Sequence, residues 1–192
     1  MALILNIETA TKNCSVSLAL KGITLSFREL AEQNFSHAEK LHVFIEELLA
    51  ENNLTFTDLN AVAVSQGPGS YTGLRIGVSS AKGFCYALNI PLIALDTLKI
   101  LSRRIAIDNG IIIPMIDARR MEVYSAFFNK NHQRTRNVEA EIINSNSYAE
   151  INETIHLVGD GIAKFKEVLL DDKFVFHEEE IYPSSKEMSF LS

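Results

Sequence analysis

Hydrophobic and polar residues alternate along three consecutive segments at the start of the chain. These segments, 2–8, 14–20 and 23–30, have the period of two that is typical of strands, and polar turns separate them. Further along, apolar residues recur at helical spacing between Ser36 and Asn52. The pattern predicts a three-stranded meander followed by a long amphipathic helix.

Strand and helix patterns then alternate up to a clear turn signal. Short apolar strands are expected at 61–65 and 92–95, with one helix between them at 73–88 and another after them at about 97–107. The turn signal is Asp108-Asn109-Gly110, where we expect the first half of the chain to end.

The order of elements begins again after this turn. Three strand patterns occupy 111–117, 121–129 and 138–143, and a short helix, a strand and a second helix are expected between Ser147 and Leu170. Strand, strand, strand, helix, strand, helix thus occurs twice. The repetition predicts an α/β fold with a duplicated βββαβα order.

The two predicted halves span 1–108 and 109–192. The second half continues with a strand at 174–177 and a helix start at Ser184, with Glu187 at capping-box spacing. The sequence given ends soon after this helix start, so we expect the second half to lack a complete terminal helix.

A loop rich in glycine joins the strand at 61–65 to the helix at 73–88. Glycine allows close approach of the backbone, and the free N–H groups at a helix start favour an anion. The spacing matches neither a Walker loop, because Leu74 follows Gly73 where lysine is required, nor a dinucleotide fingerprint. The alternative is a plain turn followed by a helix thin enough to pack against another. The loop residues are Gly67, Pro68, Gly69, Ser70 and Thr72.

Charge and composition limit the classes of function. The chain of 192 residues carries a net charge of −6, which argues against a main role in binding nucleic acid because such proteins present a basic surface. No apolar run is long enough to cross a bilayer, and the N-terminus lacks a basic leader, so a cytoplasmic protein is expected. Cys14 and Cys85 lie far apart and are expected to be free thiols.

Three motifs in register resemble one family. Residues 65–77 around the glycine loop, the opening segment 4–10 and the segment 116–124 together resemble the TsaB (YeaZ) family, and the resemblance spans residue 2 to about residue 188. It implies an actin-like α/β fold of the ribonuclease H-like class, with two halves. It also implies a role in making threonylcarbamoyladenosine beside the anticodon of certain tRNAs.

The resemblance further implies that the chain is not itself an enzyme. The catalytic paralogue, TsaD, holds a metal ion with two histidines four residues apart, whereas the corresponding segment 95–101 has no histidine. Acids that grip nucleotide and metal in active members of the fold correspond to Glu8 and Asp117, but the hairpins that follow them have no glycine. Gly159 and Gly161 are either a remnant of an adenosine site or a helix-start turn. These four residues are vestigial candidates only, and no cofactor or metal is expected.

The implied role is that of a non-catalytic scaffold. Members of the family bind a TsaD-type transferase through the two long helices of the first half, here 36–52 and 73–88, and form homodimers in isolation. A TsaE-type ATPase joins the complex, tRNA is contacted only indirectly, and no membrane is involved. The expected partner-interface residues are Leu41, Ile45, Gly73, Leu74, Gly77, Val78, Ala81 and Tyr86.

Two enzymatic alternatives remain open at this point. The chain could be an actin-like ATPase or small-molecule kinase that uses Glu8 and Asp117 around magnesium. It could instead be a glycoprotease homologue, which would need a nucleophile such as Cys14 or Ser70. Neither of these has a histidine nearby in sequence that could act as its base.

Overall fold

The computed structural model describes residues 2–31, 37–179 and 181–192. It divides into two compact units: the first runs up to Ile100 and includes Pro183–Ser192, and the second is Leu101–Tyr182. The division differs from the halves 1–108 and 109–192 in two respects. It falls earlier in the chain, and the C-terminal segment belongs to the first unit.

A five-stranded mixed sheet forms the centre of the first unit. The strand order is β3-β2-β1-β4-β5, with β1, β2 and β3 antiparallel and β4 and β5 parallel to β1. The three-stranded meander predicted from the alternation is therefore confirmed. The strands are β1 (Leu3–Glu8), β2 (Asn13–Leu20), β3 (Ile23–Ala31), β4 (Ala61–Ser65) and β5 (Leu92–Leu95).

Two long helices and two short ones accompany these strands. Leu41, Ile45 and Leu48 of the first helix are buried in one hydrophobic core with Leu5 and Ile7 of β1. The capping residue predicted for this helix, Ser36, lies outside the described residues. The helices are α1 (His37–Glu51), α2 (Tyr71–Leu88), α3 (Thr97–Ser102) and α4 (Ser185–Met188), and a 3₁₀ turn covers Phe56–Asp58.

The second unit repeats the topology of the first. Its sheet has the order β10-β9-β6-β7-β8, in which β6, β7 and β8 are antiparallel and β9 and β10 run parallel to β6. Read from the other edge, this is the same order as in the first sheet, so the predicted duplication is confirmed at the level of strands. The strands are β6 (Ile111–Asp117), β7 (Glu122–Asn129), β8 (Arg134–Ile142), β9 (Ile155–Val158) and β10 (Phe174–His177).

The helices predicted for the second unit are wrong. Turns replace the helix expected after Ser147, and only a 3₁₀ turn at Ala163–Phe165 forms where a helix at 161–170 was expected. The backbone turns more tightly here than in an α-helix, because the N–H of Phe165 donates to the carbonyl of Ile162, three residues back, in the 3₁₀ pattern. This tight turn places the side chains of Phe165 and Leu169 in the core. Helix α3 is also shorter than the predicted 97–107.

The C-terminal segment is attached to the first sheet by buried polar groups. The Ser17 hydroxyl donates to the carbonyl of Ser185 at 2.8 Å, and the hydroxyls of Ser15 and Ser185 are 2.7 Å apart. The Asn13 amide donates to the carbonyl of Pro183 at 3.1 Å. These polar groups pair with one another, and Met188 of α4 adds an apolar contact, because it is fully buried in a hydrophobic cluster with Ile4 of β1 and Ala63 of β4.

Candidate functional site

Helix α2 packs against the sheet of the first unit through a row of small residues. Gly73, Gly77 and Ala81 are the buried positions of this 18-residue helix. A Cβ atom on Gly73 would lie 2.1 Å from the carbonyl oxygen of Thr9, and one on Gly77 would lie 2.3 Å from the Thr9 hydroxyl. The Thr9 hydroxyl in turn donates to the carbonyl of Gly73 at 2.8 Å. The glycines therefore serve the close approach of α2 to the end of β1.

This packing corrects five of the predicted partner-interface residues. They are buried inside the first unit, against its own sheet or between its own helices, so they do not lie on its surface: Leu41, Ile45, Gly73, Gly77 and Ala81. The prediction failed because a stripe of small residues fits equally well against a sheet and against a partner helix. Of the other three, Leu74 and Val78 are half-buried, and Tyr86 is 92% exposed.

The opposite side of α2 is open. Tyr71, Arg75, Lys82 and Tyr86 are all exposed, and the helical repeat places them on one side of α2. A Cβ atom added to Gly83 would meet no described atom within 4 Å. We call these five residues the outer face of α2.

Helix α1 lies beside α2 and continues this surface. Val43 of α1 is 46% exposed. His42 of α1 contacts α2 at two points, because its Nε2 lies 3.3 Å from the Ser80 hydroxyl and its ring lies 5.8 Å from that of Phe84. This contact and the line of exposed α2 residues were not predicted from the sequence, because both follow only once the buried side of each helix is known.

The glycine loop is bound largely by the chain itself. The N–H of Gly67 donates to the Thr97 hydroxyl, and the carbonyl of Gly67 accepts from the N–H of Thr97. The N–H of Ser70 bonds to the carbonyl of Ala10 at 2.6 Å. A Cβ atom on Gly69 would lie 2.3 Å from that same carbonyl oxygen. Two of the donors that an anion would require are thus occupied, and the structure favours the turn over the anion site.

The rest of the loop starts helix α2. The Ser70 hydroxyl accepts from the N–H of Gly73 at 3.2 Å, which makes Ser70 the N-cap. The adjacent Thr72 is exposed, and Pro68 is half-buried. These residues therefore have a local structural role.

The two acids end the first strand of each sheet, as predicted, but in different environments. Glu8 is fully buried, its Oε1 accepts from the N–H of Ala10 at 2.6 Å, and burial raises its pKa to about 7. Asp117 is exposed, accepts from the N–H of Arg119 at 2.9 Å, and pairs with Lys164. Each acid thus binds the backbone two residues ahead and fixes the hairpin that follows it.

Gly159 and Gly161 are explained by packing in the second unit. Gly159 has a φ of +123°, and a Cβ atom there would lie 2.2 Å from the carbonyl oxygen of Met115. A Cβ atom on Gly161 would lie 2.8 Å from a methyl group of Val123. The structure therefore gives both glycines a reason that needs no adenosine site.

Among the described residues, neither the environment of Cys14 nor a metal cluster supports the protease alternative. Cys14 is buried, and desolvation with the nearby Glu8 charge raises the pKa of its thiol to about 12. Within residues 2–31, 37–179 and 181–192, no three histidine, cysteine or acidic side chains lie close enough to hold a metal ion together. Every helix among these described residues is too short or too polar to cross a bilayer.

Comparison with protein families gives a match over most of the chain. A family model described as TsaD: tRNA N6-adenosine threonylcarbamoyltransferase matches residues 29–191. Two relatives are both named tRNA threonylcarbamoyladenosine biosynthesis protein TsaB. The relative from Escherichia coli (strain K12) is 35% identical over 130 residues, which are 67% of this chain and 55% of that protein. The relative from Buchnera aphidicola subsp. Schizaphis graminum (strain Sg) is 29% identical over 195 residues, which cover 97% of this chain and 90% of that protein. The chain thus spans little more than half the length of the Escherichia coli relative.

A solved structure shares the fold. YeaZ from Pseudomonas aeruginosa superposes with a TM-score of 0.80 at 24% identity, over 99% of this chain and 90% of that chain. The repeated sheet topology and this likeness confirm the predicted α/β actin-like fold with two halves.

Proposed function

Because this chain belongs to the TsaB (YeaZ) family, we propose that it is a non-catalytic subunit in the biosynthesis of threonylcarbamoyladenosine in tRNA. Its role would be to bind and organise a TsaD-type transferase. The TsaE-type ATPase would join that complex, and tRNA would be bound by the partners rather than by this chain, whose net charge is −6. In isolation, two copies would associate through the same surface.

The observation that carries this proposal is the exposure of α2. This helix buries three of its 18 residues and presents two tyrosines, Tyr71 at 75% and Tyr86 at 92% exposure. Tyrosine is enriched in protein interfaces because it combines a large apolar ring with a hydroxyl that bonds at the rim. Half-buried Leu74 and Val78 lie next to this outer face and add apolar surface.

The environments of the two acids support a role without catalysis. A carboxylate that binds a magnesium ion or its water must reach the solvent. The carboxyl group of Glu8 is fully buried and accepts a hydrogen bond from the N–H of Ala10. Asp117 is exposed, but it is committed to Lys164 and to the backbone of Arg119. ATP hydrolysis by the isolated chain that is abolished by Glu8→Ala or Asp117→Ala would contradict the proposal and favour the kinase or ATPase alternative.

Binding to the transferase from the same organism tests the proposed surface. Tyr86→Ala should weaken the complex about tenfold or more, because a protruding aromatic side chain is a typical hot spot. The matched control is Leu170→Ala in the second unit, which removes another apolar side chain that is 78% exposed. Calorimetric titration of both variants gives the comparison. Equal affinities for Tyr86→Ala, Leu170→Ala and the unmodified chain would exclude the outer face of α2.

A further inference from the structure

Two histidines of the second unit face one another across neighbouring strands. Nδ1 of His156 in β9 lies 3.0 Å from Nε2 of His177 in β10, and the ring centroids are 5.3 Å apart. The parallel register pairs His156 with Val175, so His177, two residues further, is on the same side of the sheet. The core-facing residues of these strands, including Leu157 and Phe176, lie on the opposite side.

We propose that His156 and His177 form a binding site for a late divalent transition-metal ion such as Zn²⁺. The site is independent of the proposed partner surface, because both histidines belong to the second unit. It is a two-histidine site whose remaining coordination positions would be filled by water.

The distance between the two nitrogens fits such an ion. Two imidazole nitrogens bound to one tetrahedral zinc ion at about 2.0–2.1 Å are about 3.3 Å apart. The 3.0 Å separation therefore has to widen by a few tenths of an ångström, and both rings have to tilt, because the 5.3 Å between their centroids means that the two nitrogens point directly at each other. Metal binding would replace one N–H···N hydrogen bond by two nitrogen–metal bonds, and the shared proton would move to the other nitrogen of its own ring. Neither ring would change its charge.

The surroundings keep both rings ready to bind a cation. Desolvation lowers the pKa of both histidines, so at neutral pH the rings are neutral, which is the form that binds metals. A hydrogen bond with the backbone of Asn109 raises the pKa of His156, but desolvation has the larger effect. Nε2 of His156 is buried, so Nδ1, which faces His177, is the nitrogen of this ring that an ion would reach.

Two glutamates follow His177 directly in the sequence. His177 lines a cavity of about 360 Å³ together with Phe176, Glu178 and Glu179. Both glutamates are exposed, and Glu178 pairs with Lys166. Imidazole ligands suit zinc, nickel and copper better than magnesium or calcium, which prefer oxygen ligands alone. The expected selectivity is therefore for late transition metals.

Zinc titration of the full chain, followed through the histidine ring signals by NMR, tests the proposal without any substitution. The ring signals of His156 and His177 should shift together and saturate at one zinc ion per chain, and magnesium should shift neither. Zinc that leaves both rings unaffected, or that shifts other histidines first, would overturn the proposal.

A pair of variants provides the second arm of this test. Since loss of a residue that merely supports a metal ligand already costs about tenfold in affinity, His177→Ala should weaken zinc binding at least that much in calorimetry. The matched control is His42→Ala, which removes an exposed histidine of the first unit and should leave the affinity unchanged. Equal affinity of His177→Ala and the unmodified chain would contradict the assignment.

Discussion

At the scale of single residues, the buried acid Glu8 has the largest consequence. Its carboxyl group is enclosed at the end of β1, where Oε1 accepts from Ala10 and the other oxygen has no hydrogen-bond partner among the described residues. The nearby Ser65 lowers the pKa, but desolvation dominates and raises it to about 7. An acid with this environment is suited to holding a hairpin and destabilises the fold once it ionises.

The sign of the resulting pH dependence follows from the two states. In the unfolded chain Glu8 titrates near 4.5, whereas in the folded chain it keeps its proton until about pH 7. Between these values the folded state binds more protons, so the contribution of Glu8 to stability falls as the pH rises. The full difference corresponds to about 3 kcal/mol, which is reached above pH 7.

Glu8→Gln should remove this dependence. Glutamine can still accept from Ala10 and carries no charge, so the stability of the variant relative to the unmodified chain should rise between pH 5 and pH 8. Urea denaturation across this range measures the difference. Glu46→Gln, at an exposed position of α1, is the control. Parallel pH profiles for the unmodified chain and Glu8→Gln would mean that Glu8 is already ionised in the folded state.

At the scale of elements, helix α2 combines two kinds of glycine. Gly77 faces β1, where a Cβ atom would meet the Thr9 hydroxyl at 2.3 Å, and Gly83 faces open space. The sequence alone cannot separate them because both occur in the same helical segment. Their roles follow from the side of α2 that is buried.

Alanine at these two positions should have opposite effects on stability. Gly77→Ala should destabilise the chain by about 1–3 kcal/mol, because the helix must move away from β1 to avoid overpacking. Gly83→Ala should stabilise it by about 0.5–1 kcal/mol through the helix preference of alanine. Denaturant titration of both variants checks the prediction, and a loss of stability in Gly83→Ala would show that a neighbour packs against this position.

Strand patterns were easier to predict than helices in this chain. Alternation marks the edge strand β3, whereas β1 and β4 are buried on both faces and are marked by short apolar runs between turns. The helices expected at 161–170 and after Ser147 do not form, since apolar residues such as Phe165 and Leu169 reach the core from tight turns as well. Burial patterns identify residues that face the core, but they do not fix the local backbone.

The candidate sites were predicted less completely than the strands. Glu8 and Asp117 were correctly placed at strand ends, but no local pattern distinguishes the buried acid from the exposed one. The pairing of His156 with His177 depends on the register of two parallel strands, which no local pattern encodes. The register between distant strands and the buried face of each helix therefore could not be predicted from the sequence.

At the scale of the whole molecule, buried polar groups hold the two ends of the sequence together. Ser15 lies at the centre of this contact, because its hydroxyl accepts from the N–H of Ser185 at 3.0 Å and also meets the Ser185 hydroxyl. The Ser184 hydroxyl is 3.3 Å away. The first unit therefore depends on a segment that follows the second unit in sequence.

Ser15→Ala should weaken this attachment. It leaves the N–H of Ser185 buried without its acceptor, which costs about 1–3 kcal/mol. Thermal or urea unfolding measures the loss, and Ser79→Ala on the exposed side of α2 serves as the control. If the two serine variants are equally stable, the hydrogen bonds between Ser15 and the C-terminal segment contribute little to the first unit.

The central claim, that the chain organises a transferase and has no chemistry of its own, is tested most directly by a tRNA modification assay. The chain, the TsaD-type transferase from the same organism and the TsaE-type ATPase would be assayed together and with each one omitted. The account predicts threonylcarbamoyladenosine formation only when this chain is present with its partners, and a loss of that activity in the Tyr86→Ala variant. Full activity without this chain, or modification by this chain alone, would contradict it.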